Sequence, residues 1–172
     1  PMLAGPADDG LAILLWCLAI GPAGGYFSVD RLLHDRMGMP PPQPMWRARV
    51  ALGLIKVHAA AIALGAVLAQ LKGDAWWNGT AAWWLAAREG SRVVDLTGLF
   101  ARSEFLINAI THTITGFEVA FAVGIWFSAT QQTFARLGLV AWPLIGILAG
   151  EPLWGLVMGV YAAGVADRWG EL

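Results

Sequence analysis

Two ionisable side chains lie inside an apolar run that is long enough to cross a lipid bilayer. The run covers residues 50–71, and it contains Lys56 and His58. A hydrocarbon core about 30 Å thick requires about 20 apolar residues in a helix. An ionisable group at that depth costs about 2.5–3.5 kcal/mol on insertion scales unless it finds a partner. The run therefore indicates a membrane span in which Lys56 and His58 have polar partners.

Further polar side chains recur along a second apolar run, residues 105–127. They are spaced by three or four residues, and they are Asn108, Thr111, Thr115 and Glu118. Such spacing places side chains on one face of a helix, and His112 falls at the edge of that face. Because an intramembrane glutamate normally finds a partner inside the bundle, we expect Lys56 to pair with Glu118. Three roles are open for these groups: a structural pair that holds two helices in register, a proton path or catalytic base, and a ligand or pigment site.

Two histidines could ligate a metal in a flat macrocycle. Ala59, Ala60 and Ala61 follow His58, while His112 lies between Ala109 and Gly116. Small neighbours let such a ring approach, so His58 and His112 are candidate ligands of a chlorophyll-type pigment or a haem. A hydrogen-bonded histidine that only packs between helices is the alternative. The sequence contains no zinc-type histidine pair, phosphate-binding glycine loop or nucleophile elbow, and apart from such a macrocycle we predict no metal site.

The composition is that of a membrane protein. Of the 172 residues, 58% are hydrophobic and only 13% are charged, with a mean hydropathy of +0.60. Soluble domains carry about 25% charged residues. The net charge of −1 argues against a nucleic-acid surface, and one cysteine, Cys17, excludes a disulfide framework. The ten tryptophans are typical of aromatic belts at membrane interfaces.

These patterns predict an all-α fold, a polytopic transmembrane helical bundle with about five membrane segments and a Trp-rich interfacial helix. The predicted segments are residues 11–27, 50–71, 105–127, 134–149 and 153–166. Glu151 and Pro152 predict a tight turn between the last two, and a single kinked helix is the alternative. Small residues at Gly155, Gly159 and Ala163 predict close helix contacts.

We expect one transmembrane domain over residues 1–172, part of a longer chain. Residues 28–49 form a Pro/Arg-rich loop, which we place in the cytoplasm because of its arginines. Residues 72–104 then form an outward-facing interfacial segment, with a short helix from about Thr80 to Glu89.

The stretch from Trp76 to Ala81, WWNGTA, resembles the HTTM family, the bacterial membrane relatives of vitamin K-dependent gamma-carboxylase. Asp9-Gly10 at the start of an apolar run and the stretch from Glu118 to Phe121 are similar to other regions of that family. The resemblance covers most of this chain but only the latter part of a family member. It implies a multi-pass protein of the bacterial inner membrane.

The family's catalytic groups are displaced or absent in this sequence. The resemblance implies a basic lysine just upstream of the WxxG motif, but Leu71 occupies that place and Lys72 follows it. Residues 141–144, AWPL, occupy the stretch where the family has a histidine. We therefore predict a non-catalytic accessory or scaffold subunit of a larger membrane complex, with a photosynthetic or respiratory assembly as host. Its partners would be the lipid bilayer and other membrane subunits, with no nucleic acid.

Two other functions stay open at this point. The first is a carboxylase-like membrane enzyme that uses Lys72 or Lys56 as its base. The second is a small proton or solute transporter built on the intramembrane polar residues, namely Lys56, His58, His112 and Glu118.

Overall fold

A computed structural model describes residues 5–21, 36–37, 46–90 and 93–166, and α-helix is the only regular structure in these ranges. Eight helices follow one another in this part of the chain. They are α1 (Pro6–Ile20), α2 (Trp46–Gln70), α3 (Asp74–Trp77), α4 (Ala81–Ala86), α5 (Thr97–Phe100), α6 (Glu104–Gly124), α7 (Ser128–Ala149) and α8 (Pro152–Ala166).

Among the described residues, α2, α6 and α7 are long and apolar enough to cross a membrane, with 25, 21 and 22 residues. The prediction of an all-α fold is therefore confirmed in the described residues, and these three helices are compatible with a transmembrane bundle. The number of about five segments is not confirmed, because α1 and α8 each have only 15 residues. Residues 22–27 of the first predicted segment, and residues 28–35 and 38–45 of the predicted cytoplasmic loop, lie outside the described ranges. Residues 46–49 of that loop begin α2.

Helix α7 ends in a tight turn that reverses the chain into α8. Gly150 has φ 76°, a left-handed conformation that glycine adopts readily. The N–H of Glu151 donates to the carbonyl of Gly146 at 2.7 Å, and the N–H of Gly150 donates to that of Ile147 at 3.2 Å. These two bonds form a Schellman motif, after which Pro152 starts α8. The predicted turn is confirmed, and a single kinked helix is wrong.

Small residues let α7 and α8 pack backbone to backbone. A Cβ added at Gly146 would lie 2.7 Å from the Cα of Gly155, and one added at Gly138 would lie 2.8 Å from the Cβ of Ala162. Gly155 and Gly159 are buried at this contact as predicted. Ala163 is exposed, so its predicted place at the contact is wrong. The helix turns Ala162, rather than its neighbour, toward α7.

Four aromatic rings join α6, α7 and α8 at the centre of the bundle. Trp142 is fully buried, and its ring lies 5.4–5.5 Å from those of Phe117, Phe121 and Trp154 in edge-to-face geometry. Such pairs are worth about 0.5–1.5 kcal/mol each beyond the area they bury. The indole Nε1 of Trp142 is the one buried side-chain N or O atom without a hydrogen-bond partner in the described residues.

The segment between α2 and α6 folds onto the N-terminal half of α6. Ala82, Ala86 and Phe100 are buried there, and Leu106 and Leu148 are packed against them. The predicted helix at Thr80–Glu89 is present but shorter, since α4 covers Ala81–Ala86. Trp77 and Trp84 stay exposed, at 65% and 64% of their surface. The segment therefore buries alanines against α6 and leaves two tryptophans outside.

Candidate functional site

The candidate site consists of hydrogen-bonded polar side chains between the helices of the bundle. Its most buried part lies between α2 and α6. Gln70, the last residue of α2, donates from Nε2 to Oε2 of Glu118 at 2.6 Å, and the Oγ1 of Thr115 donates to Oε1 of Gln70 at 2.7 Å. Glu118 is only 2% exposed. One amide therefore uses both of its ends to join two side chains of α6 to α2.

Thr111, one turn before Thr115, attaches the segment between α2 and α6 to α6 itself. Its hydroxyl donates to the carbonyl of Gly79 at 3.0 Å and accepts from the N–H of Ala82 at 3.0 Å. Gly79 has φ 71°, and a Cβ at this position would overlap Asn108. Glycine is thus required here by both the backbone conformation and the close approach of Asn108. The WWNGTA stretch is in this way a packing element of the fold.

The predicted polar face of α6 is present, with two environments along it. Thr111, Thr115 and Glu118 contact other elements of the bundle. Asn108 donates from Nδ2 to the carbonyl of Glu104 at 3.1 Å, within the first turn of α6. His112 is exposed, with its Nε2 3.2 Å from the place of a Cβ at Gly79. Periodicity thus identified the face, whereas its partner Gln70 was missed.

Lys56 lies at the other end of the bundle, beside the connection between α6 and α7. Its Nζ donates to Oε1 of Gln131 at 3.1 Å and lies 5.3 Å from the ring centroid of Trp126. Gln131 in turn donates from Nε2 to the carbonyl of Val165 at 2.7 Å. Lys56 therefore belongs to a chain of contacts that joins α2, α7 and α8.

The expected Lys56–Glu118 pair is wrong because of the register of α2 and α6. The two helices run antiparallel, with Gln70 beside Thr115 and Glu118. Lys56 precedes Gln70 by 14 residues, or about 21 Å along a helix axis. That distance puts Lys56 at the level of the α6–α7 connection, where Trp126 and Gln131 are.

His58 has a partner that the sequence analysis missed. Its Nδ1 lies 2.6 Å from the hydroxyl of Tyr161, and that hydroxyl donates to the carbonyl of Gly10 at 2.9 Å. Tyr161 is fully buried, and the two rings meet edge to face with centroids 5.2 Å apart. This contact joins α1, α2 and α8. A cavity of about 120 Å³ next to it is lined by Asp9, His58 and Trp154 among others.

A larger cavity lies between α5, α6 and α7. Its volume is about 520 Å³, and Thr113 is the one polar side chain among the residues that line it. Ligand cavities usually measure about 300–1,000 Å³, so its size is ordinary for a bound molecule. Its walls offer hydrocarbon and aromatic surface and a single hydroxyl.

The two lysines proposed as bases are in different places. Lys72 is exposed between α2 and α3, and Lys56 is half-buried in the contact with Gln131. Within the described ranges, no three histidine, cysteine, aspartate or glutamate side chains are grouped so that they could hold a metal ion.

The sequence analysis missed three residues of the site, Gln70, Gln131 and Tyr161. The available signal for the two glutamines was their position near helix ends, next to apolar runs.

No protein-family model, curated protein or solved structure matches this chain.

Proposed function

We propose that the protein is a non-catalytic accessory or scaffold subunit of a larger membrane protein assembly, with a photosynthetic or respiratory complex as host. The observation that carries this proposal is the use of the interior polar side chains. Gln70, Thr115 and Glu118 contact one another across α2 and α6, and Lys56 contacts Gln131 across α2 and α7. These groups are used to connect helices.

A catalytic centre would need an acid or base that can reach a substrate. The larger cavity is lined by apolar side chains and one hydroxyl, that of Thr113. The carboxyl of Glu118 is buried and bonded to Gln70 rather than directed into that cavity. This arrangement supports a structural role for Glu118.

The outer surface of the spans supports a location among lipids and other apolar helices. Large apolar side chains are exposed on the three long helices, as at Leu68 (60%), Phe105 (82%) and Val140 (62%). Single exposed apolar residues are ordinary on soluble proteins, but their number here, on helices of membrane-spanning length, favours an apolar environment. The proposed partners are the bilayer of a bacterial inner membrane and neighbouring membrane subunits.

The proposed relationship to the HTTM family fits the same role. In this chain Thr111 is hydrogen-bonded to Gly79, inside the family-like stretch, and to Ala82, the residue that follows it. These two bonds fix the proposed interfacial segment on α6. Lys72 is exposed outside that contact. We propose that this chain is a degenerate relative of that family, which has kept the packing of this stretch and has lost the catalytic base.

Purification from native membranes in a gentle detergent tests the proposal. We expect the chain to migrate with a larger complex in fixed stoichiometry, which mass spectrometry of the native gel band would measure. An absorption spectrum of that band would show whether the host carries pigment or haem. Recovery of the chain as a free monomer with carboxylase-like activity that is lost in Lys72→Met or Lys56→Met would overturn the proposal.

A further inference from the structure

The smaller cavity, between α1, α2 and α8, has features that the proposed function does not use. It measures about 120 Å³ and is lined by two side chains that can ionise, Asp9 and His58. The other side chains that line it are apolar or aromatic, and they include Trp154, Ile13 and Ile62. Asp9 and Ile13 are exposed, so the cavity opens to the outside of the bundle beside a carboxylate, and its inner walls are mostly apolar.

The hydrogen bonds of Tyr161 determine which nitrogen of His58 carries the proton. A phenol has one hydrogen to donate, and that of Tyr161 goes to the carbonyl of Gly10 at 2.9 Å. At the 2.6 Å contact with His58, the hydroxyl must therefore accept, and Nδ1 of His58 must be the donor. In the neutral ring the other nitrogen, Nε2, then carries a lone pair. Nε2 has no hydrogen-bond partner among the described residues.

Asp9 supplies the negative charge. It lies in the first turn of α1, and in the part of the chain that the structure describes its carboxylate has no hydrogen-bond partner. Its neighbour Asp8 differs, because Oδ2 of Asp8 accepts from the N–H of Gly5 at 2.8 Å and Asp8 does not line the cavity. A carboxylate and an imidazole lone pair both accept hydrogen bonds, so a ligand held between the two side chains would have to be a donor.

We propose that this cavity binds a small organic ammonium ion, a site that goes beyond the proposed scaffold role. The ammonium group donates N–H bonds to the carboxylate of Asp9 and to Nε2 of His58. The indole of Trp154 adds a cation–π contact, and the alkyl part lies along Ile13 and Ile62. A volume of about 120 Å³ suits a short primary alkylammonium.

Titration of the purified protein with butylammonium, followed by calorimetry, tests the site, and 1-butanol serves as the uncharged control ligand. We expect saturable binding of butylammonium and at least tenfold weaker binding of butanol. Asp9→Asn should weaken butylammonium binding at least tenfold. Asp8→Asn, the matched control in the same helical turn, should change it less than twofold. Equal losses in the two variants, or equal binding of butanol, would overturn the proposal.

Two further variants separate binding from folding. Ile13→Trp fills the cavity and leaves both polar side chains in place, so it should abolish binding while the helical content measured by circular dichroism is retained. Tyr161 acts as a positioning residue. ¹⁵N NMR of histidine-labelled protein measures its effect, because the ¹⁵N chemical shifts show which ring nitrogen of His58 carries the proton. The native protein should show His58 protonated at Nδ1, and Tyr161→Phe should remove that preference. Protonation at Nε2 in the native protein would contradict the assigned role of His58.

Discussion

At the scale of single residues, the buried carboxyl of Glu118 is satisfied by an amide. A Lys–Glu pair would place two charges in the apolar interior of the bundle, whereas the Gln70 side chain, which is 8% exposed, carries none and offers both a donor and an acceptor. Hydrogen bonds between membrane helices contribute about 0.6 kcal/mol on average and about 1.7 kcal/mol at most. The contact therefore fixes the relative position of α2 and α6 with modest energy.

Substitution of Glu118 tests this account. Glu118→Leu removes the acceptor for Gln70 and should lower the free energy of unfolding by about 1–2 kcal/mol, since a buried amide loses its partner. Glu118→Gln keeps an oxygen at the same place and should cost less than about 1 kcal/mol. Denaturation in detergent, followed by circular dichroism, measures both. A larger loss in Glu118→Gln than in Glu118→Leu would show that charge, rather than the hydrogen bond, matters at this position.

Thr111 allows a test with a matched control on the same helix. Thr111→Val keeps the shape but leaves the carbonyl of Gly79 and the N–H of Ala82 without this partner. We expect a loss of about 1–3 kcal/mol in the free energy of unfolding. Thr113→Val, at an exposed position, should cost less than about 0.5 kcal/mol. Limited proteolysis should also cut the segment between α2 and α6 faster in Thr111→Val alone; equal cleavage of both variants would contradict the role of Thr111.

At the scale of helices, the contact between α7 and α8 depends on glycine. A methyl group at position 146 would lie 2.7–2.9 Å from backbone atoms of Gly155 and Glu151, which cannot move aside as a flexible side chain would. We expect Gly146→Ala to lower the free energy of unfolding by about 1–3 kcal/mol. Gly116→Ala, where no atom lies within 4 Å, should be neutral or stabilising by up to about 1 kcal/mol. Similar effects of the two substitutions would show that helix propensity, and not packing, determines the change in stability.

The helices could largely be predicted from the sequence, but their partners could not. Hydropathy indicated α2 and α6, and the three- and four-residue spacing gave the face of α6 that carries Thr111, Thr115 and Glu118. Spacing along one helix contains no information on its register against another. Charge alone therefore pairs Lys56 with Glu118, although α2 brings Gln70 there.

The short helices were harder to predict for a different reason. Helices α3 and α5 have four residues each, too few to show a periodic pattern. Tyr161, in the last described helix, contacts Gly10 in the first and His58 in α2. No local sequence pattern indicated either contact. Long-range contacts of this kind depend on the arrangement of the whole bundle.

At the scale of the molecule, the alternating directions of α2, α6 and α7 predict a topology. The antiparallel contacts place residues 71–90 and 93–103 and the turn at Gly150 at one end of the bundle, and residues 125–127 at the other. In a Cys17→Ser background, Glu89→Cys and Glu151→Cys should react with a membrane-impermeant maleimide on intact cells. Ser128→Cys should react only after permeabilisation. All three positions are exposed in the fold, so equal reactivity of Glu89→Cys and Ser128→Cys would contradict three spans.

The bond between Tyr161 and Gly10 has a consequence for biosynthesis. Its two residues are 151 positions apart, and it joins the first described helix to the last. At about 5–20 residues per second, a ribosome takes roughly 8–30 s to make the chain between them. During that interval α1 can make its contacts with α2 but not yet those with α8. The arrival of α8 therefore completes the assembly, and a nascent chain stopped before it leaves the carbonyl of Gly10 without this partner.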